Sequence, residues 1–138
     1  MASIILAEDH VLVRQGLRRI IQEDPAMRVI HEAGDGVELL AILKDTTPDV
    51  VILDISMPRL QGLEAARIIR AQYPAIKIMI LTMHRERNFY LKAMEIGVHG
   101  YVLKDEADTA LNSAIKAVLE DKMYVSPLLV PNENAPIN

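Results

Sequence analysis

The sequence predicts an α/β domain built on a doubly wound parallel sheet. Short apolar runs alternate five times with stretches of helical periodicity, the pattern of βα units. The run Val50-Val51-Ile52-Leu53 is apolar at every position, as for a strand buried on both faces. Polar or ionisable residues stand directly after four of the runs: Glu8-Asp9, Asp54, Thr82 and Lys104.

Ile4 to Ala7 reads as the first strand, with Glu8 and Asp9 at its carboxyl end. Val13, Leu17, Ile20 and Ile21 then recur at helical spacing until Asp24-Pro25 stops the helix. Met27 to Ala33 is a second strand, less uniformly apolar and so nearer a sheet edge. Gly34-Asp35-Gly36 supplies a turn, with Asp35 as N-cap of a helix carrying Leu39, Leu40 and Leu43. Thr46-Thr47-Pro48-Asp49 ends that helix. The third strand, Val50 to Asp54, runs into Ile55-Ser56-Met57-Pro58. Gly62 to Gln72 is the third helix, with Ala65, Ala66, Ile68 and Ile69 inward, closed by Tyr73-Pro74. Ile76 to Leu81 is the fourth strand and ends in Thr82; Glu86 to Ile96 is the fourth helix, stopped by Gly97. Gly100 to Leu103 is the fifth strand, followed at once by Lys104. Leu111, Ala114, Ile115, Val118 and Leu119 mark the fifth helix. The right-handed crossover rule and the burial pattern favour strand order 2-1-3-4-5, the flavodoxin-like (βα)5 arrangement. After Met123, Pro127, Pro131 and Pro136 among Asn, Glu and Ser read as a tail or linker rather than a packed element. The expected division is a domain over residues 1–124 and a tail over 125–138.

The 138 residues suit one domain. A chain of this size buries roughly two-thirds of its unfolded surface and folds without a metal or disulfide. The absence of cysteine excludes disulfides and thiolate-metal sites. No apolar run approaches the ~20 residues of a membrane span. Met1 to Ala7 is too short for a signal peptide and meets Glu8-Asp9 at once, so a cytoplasmic protein is expected. A net charge of −4 argues against direct nucleic-acid binding, which needs a basic face.

In a parallel sheet of this order, strands one, three, four and five are neighbours about 4.8 Å apart. Their carboxyl ends lie on one edge, where ligands bind in such folds. Glu8, Asp9, Asp54, Thr82 and Lys104 should therefore converge. Three adjacent carboxylates repel unless a proton or cation intervenes. Mg²⁺ suits hard oxygen donors, and nothing here has the twelve-residue loop of a calcium site. Thr82 offers a hydroxyl and Lys104 a point charge. Such a set would neutralise an anion on or beside Asp54, and a carboxylate nucleophile can form an aspartyl-phosphate.

These residues, with Asp54-Ile55-Ser56-Met57-Pro58, Gly62, Leu81-Thr82, Gly100-Tyr101 and Lys104, resemble the receiver domain of a two-component response regulator. The resemblance covers about residues 3–124. Glu32-Ala33-Gly34-Asp35-Gly36, Leu81-Thr82-Met83-His84, Gly97 to Lys104 and Tyr124-Val125-Ser126-Pro127 are most similar to the LuxR/NarL-type subfamily. The resemblance implies that Asp54 accepts a phosphoryl group from a sensor histidine kinase. It implies Mg²⁺ held by Glu8, Asp9, Asp54 and the backbone carbonyl of Ser56. Lys104 would pair with phosphoryl oxygens, Thr82 would move to bond them, and Tyr101 would turn inward with it. The surface of the fourth helix, fifth strand and fifth helix would then change.

The implied protein is a phosphoacceptor switch that assists its own phosphorylation and dephosphorylation, not an enzyme with an external substrate. A phosphorylation-dependent homodimer is plausible, and DNA would be reached only through an output domain that this chain lacks. The chain ends within a linker-like stretch, as though a helix-turn-helix domain followed; a lone receiver acting by protein binding is the alternative. A haloacid-dehalogenase-like phosphatase is a second alternative, but it wants an acid where Ser56 stands. Gln61 and Asp105 depart from the usual receiver pattern. Read as ordinary residues, Asp9 and Thr82 would cap helices, and Arg14, Arg18 and Arg19 would form a solvated face. His10, His31, His84 and His99 lack metal-site spacing and read as surface or loop residues, with His10 and His84 near the pocket rim.

Overall fold

The computed structural model describes residues 1–129. Six parallel strands form one sheet in the order β2-β1-β3-β4-β5-β6. They are β1 (Ala2–Ala7), β2 (Met27–Ala33), β3 (Val50–Leu53), β4 (Lys77–Thr82), β5 (Gly100–Leu103) and β6 (Tyr124–Val125). The helices are α1 (Val11–Gln22), α2 (Gly36–Leu43), α3 (Gly62–Gln72), α4 (Arg87–Ile96) and α5 (Ala107–Leu119). One 3-10 turn, Lys104–Glu106, separates β5 from α5. Among the described residues, no helix is long and apolar enough to cross a membrane.

Side chains alternate across each strand, so the sheet divides the core into two layers. Ile5, Ala7, Val51, Leu53, Ile78 and Ile80 share one layer with Leu39 of α2, Ala65 and Ile69 of α3 and Ala93 of α4. Ile4, Leu6, Val50, Ile52, Met79 and Leu81 share the other with Leu17 and Ile21 of α1 and Leu111 and Ile115 of α5. All four residues of β3 are fully buried, as its uniform apolarity predicted. The register sets Ala7 beside Leu53, Leu53 beside Ile80 and Thr82 beside Leu103. The carboxyl ends of β1, β3, β4 and β5 therefore finish on one edge.

Local chemistry sets the helix ends. Asp35 caps α2, its carboxylate accepting the Glu38 N–H at 2.8 Å. Gly97 ends α4 with φ +92°, a conformation that a side chain would strain. Neither Asp9 nor Thr82 caps a helix; the residues before α1 and α4 are His10 and Glu86, without side-chain caps. Gln61 likewise makes no capping bond at α3. Gly62 is required for a different reason. Its N–H donates to the Ile55 carbonyl at 2.8 Å, and a Cβ there would fall on the Asp54 carbonyl oxygen.

One reading is corrected. Packing does not stop at Met123. Tyr124 and Val125 pair with Gly100 and Tyr101 as β6, covering the edge of β5. Ser126 is fully buried, its N–H on the Tyr101 carbonyl at 2.9 Å and its hydroxyl on Glu106. Leu129 packs on the core layer that holds Tyr101. A two-residue strand has no periodicity to read, and its partner edge exists only in the folded sheet. The rest of the expected tail, residues 130–138, lies outside the described residues.

Two glycine substitutions should separate close approach from helix entropy. Gly62→Ala should lower unfolding stability by about 1–3 kcal/mol through overpacking. Gly16→Ala, in α1 with nothing within 4 Å of the added methyl, should raise it by about 0.5–1 kcal/mol. Urea unfolding of both variants reads the opposite signs.

Candidate functional site

Asp54 follows β3 directly and is 6% exposed. Its N–H donates to the Ala7 carbonyl at 3.2 Å, so its backbone continues the ladder. Glu8 follows β1, is 1% exposed, and donates its N–H to the Ala33 carbonyl at 2.9 Å. Lys104 follows β5. Its ammonium lies between the two acids, donating to Glu8 Oε1 and, at 2.9 Å, to Asp54 Oδ2. Burial pushes its pKa down, but the hydrogen bonds and charges of Glu8 and Asp54 outweigh burial and hold it above its ordinary value. The ammonium is therefore charged throughout the neutral range.

Lys104 bonds Glu8 and Asp54 but not Asp9. Asp9 Oδ1 is buried, 3.3 Å from His10 Nδ1, and makes no hydrogen bond. Glu8 Oε2 accepts the His10 N–H at 3.1 Å and lies 3.3 Å from the same ring nitrogen. Ligand atoms of Glu8, Asp9 and His10 all lie within 4.8 Å of one another. The two carboxylates supply hard oxygen donors, one of them orphaned, and that suits a divalent cation.

The opposite wall comes from the ends of β3 and β4. Thr82 is fully buried, and its Oγ1 accepts the His84 N–H at 3.1 Å. The Ser56 N–H points to Asp54 Oδ1 at 3.4 Å, while Ser56 Oγ meets His84 Nε2 at 2.7 Å. Asp54, Ser56, Thr82, His84 and Lys104 line a cavity of about 360 Å³, with His10 and Val13 also on its wall. Behind it, Tyr101 is fully buried and donates its hydroxyl to the His84 carbonyl at 3.1 Å. Burial, then the charges of Glu86 and Asp54, push its phenol pKa far up, so it remains a neutral donor. The resemblance implied a tyrosine that turns inward when Thr82 moves; here it is already inward, edge-on to Tyr90 at 5.7 Å.

Glu8, Asp54, Thr82 and Lys104 thus meet as the strand order predicted, while Asp9 faces His10 rather than Lys104. The sequence reading placed His84 near the rim but missed its contacts. Nothing in the sequence pairs residue 84 with residue 56 across two loops. The arginines of α1 are only partly a free solvated face: Arg14 and Arg18 both pair with Glu32, and Arg14 donates to the Glu8 carbonyl at 2.7 Å.

A parallel sheet with two buried acids, a threonine and a lysine gathered at its carboxyl edge defines the receiver class. The pattern of the response regulator receiver domain matches residues 4–116, and the chain belongs to that family. It is 41% identical over 114 residues to the uncharacterized transcriptional regulatory protein YxjL of Bacillus subtilis (strain 168), covering 83% of this chain and 52% of that one. It is 32% identical over 130 residues to the transcriptional regulatory protein DegU of Brevibacillus brevis, covering 94% and 55%. A crystal structure of a LuxR-family response regulator from Aurantimonas sp. SI85-9A1 superposes with TM-score 0.92 at 39% identity, covering 97% of this chain and 98% of that one. The chain is thus a receiver domain of the LuxR/NarL type. It spans about half the length of these curated relatives.

Lys104→Met would leave two buried carboxylates without their cation. The expected loss of stability is about 3–5 kcal/mol. The folded-state pKa of Lys104 is raised above 10.5, so its contribution is complete below that value and is lost as pH rises through the folded pKa. Urea unfolding should show the same deficit at pH 7 and pH 9, and a smaller one above pH 10.5.

Proposed function

We propose that Asp54 is the phosphoacceptor of this domain. What supports the reading is one observation: its buried carboxylate already holds the ammonium of Lys104 at 2.9 Å, at the wall of a cavity that Thr82 also lines. An Asp54 oxygen attacks phosphorus, the new P–O bond forms, and the bond from phosphorus to the kinase histidine nitrogen breaks. Lys104 then exchanges a carboxylate partner for phosphoryl oxygens, and the Thr82 hydroxyl donates to another. Little else is asked of the protein, because phosphoryl transfer depends on positioning and charge neutralisation.

Glu8, Asp9, Asp54 and the Ser56 carbonyl would hold Mg²⁺, and the orphaned Asp9 Oδ1 favours this donor set. When bound, the ion supplies positive charge to oppose the phosphoryl oxygens. Turning the Thr82 hydroxyl toward a phosphoryl group pulls on the His84 N–H that its oxygen accepts. That moves the segment whose carbonyl holds Tyr101, and so alters the α4–β5–α5 surface. The domain includes Tyr124 to Leu129, which pair or pack with β5 and the core, and its output is control of transcription, as the names of the relatives suggest. In the cell the partners are a sensor histidine kinase and, on phosphorylation, a second copy of the receiver; DNA is contacted by the output domain alone. The assignment makes the chain a cytoplasmic switch that promotes its own phosphorylation and dephosphorylation.

Incubation with Mg²⁺ and acetyl phosphate should add one phosphoryl group by intact mass, and Asp54→Asn should gain none. An equal gain in that variant would overturn the assignment. Mg²⁺ at a hundred times its Kd should raise unfolding stability by about 2.7 kcal/mol, and Asp9→Asn should abolish most of that rise in a thermal melt.

A further inference from the structure

We propose that Arg14 is a positioning residue for the two acids of the cation site, Glu8 and Asp9, and fixes both through the peptide bond that joins them. This rests on the reading of Glu8 and Asp9 as metal donors above and names a residue that acts on them. Arg14 stands in the first turn of α1, yet its side chain is only 19% exposed. Its Nη1 donates to the Glu8 carbonyl at 2.7 Å, and its Nε donates to Glu32 Oε1 of β2 at 3.0 Å. Glu32 is held in turn by Arg18. The guanidinium also lies over Gly34, where an added Cβ would stand 3.6 Å from Nη1.

The carbonyl that Arg14 holds belongs to the Glu8–Asp9 peptide. A peptide unit is planar, so a bond to its oxygen orients the plane and the Cα atoms on either side of it. The Glu8 N–H is bonded to the Ala33 carbonyl at 2.9 Å. The Arg14 N–H is bonded to the His10 carbonyl at 2.8 Å. The backbone that carries the two acids is therefore held before, between and after them. Two of those three bonds come from Arg14, one from its side chain and one from its backbone.

A guanidinium beside a cation site could act in two ways, and they have opposite signs. As a charge it repels a divalent cation, so its removal would tighten binding. As a clamp it orders the donors in advance, so its removal would weaken binding. The geometry favours the clamp. The charge of Arg14 is matched by Glu32, and its second bond goes to a backbone carbonyl, so neither carboxylate of the site is taken up.

The test titrates the 138-residue chain with Mg²⁺ and follows backbone amide NMR shifts. Arg14→Met keeps an apolar stem without the donors. It should raise the Kd for Mg²⁺ about tenfold, the lower end of what partners that orient metal ligands contribute. Arg14→Lys can keep one of the two side-chain bonds and should fall between Arg14→Met and wild type. Glu32→Ala frees one side of the guanidinium and should weaken binding in the same direction. Combined with Arg14→Met it should add nothing, because both changes act through one clamp. At saturating Mg²⁺, Arg14→Met should take a phosphoryl group from acetyl phosphate at close to the wild-type rate. An unchanged or tighter Kd in Arg14→Met would overturn the clamp, as would a rate that stays low at saturating Mg²⁺ or fully additive effects in the double variant. If Arg14→Met does not fold, Arg14→Lys and Glu32→Ala carry the test, and wild-type Kd values in both would overturn it. A wild-type chain without saturable Mg²⁺ shifts would overturn the donor assignment, and the clamp with it.

Discussion

Everything at the carboxyl edge of the sheet depends on the ammonium of Lys104 between two buried carboxylates. Glu8 is 1% and Asp54 6% exposed, and a charge that deep costs several kcal/mol unless it is paired and hydrogen-bonded. Each of the three groups comes from a different strand end, so no local segment could assemble them. The parallel register does, by finishing β1, β3 and β5 together. The uniformly apolar strands pay for the arrangement: two core layers hold the sheet rigid while one edge carries unfavourable charge. Asp9 remains outside the pairing, its buried oxygen unsatisfied, and that is where a cation would act.

Residue 84 is the second fixed point. Its N–H, carbonyl and ring reach Thr82, Tyr101 and Ser56 respectively. The Thr82 hydroxyl and the buried tyrosine are thus tied to one residue rather than held independently. Beyond Tyr101, the backbone continues the connection. Val125 is its register partner in β6, and the Ser126 N–H bonds its carbonyl. Ser126 also bonds Glu106, two residues after Lys104. A change at the site has a short covalent and hydrogen-bonded route to β6 and Ser126.

Five strands and five helices were legible because burial leaves periodicity in a chain. The all-apolar Val50 to Leu53 announced a central strand, and the mixed Met27 to Ala33 an edge. Asp35 and Gly97 announced helix ends because each has a local conformational reason to be there. β6 was not legible. Tyr124-Val125 is two residues long and is a strand only because β5 offers an edge. The spaced Pro127, Pro131 and Pro136 look like linker whether or not Ser126 is buried.

For the site, the amino-acid order alone determined which residues stand at strand ends. The strand order then brought Glu8, Asp54, Thr82 and Lys104 to one edge, since βα units wind in one hand. What only the tertiary structure decided is how those side chains share their bonds. Lys104 chooses Glu8 and Asp54, Asp9 is left facing His10, Tyr101 is buried inward, and His84 reaches across to Ser56. The division has a physical reason. Periodicity and strand ends follow from backbone geometry and burial, which act locally along the chain. Hydrogen-bond partners are chosen by competition among groups brought within about 3 Å in space, and no spacing in the sequence records that competition.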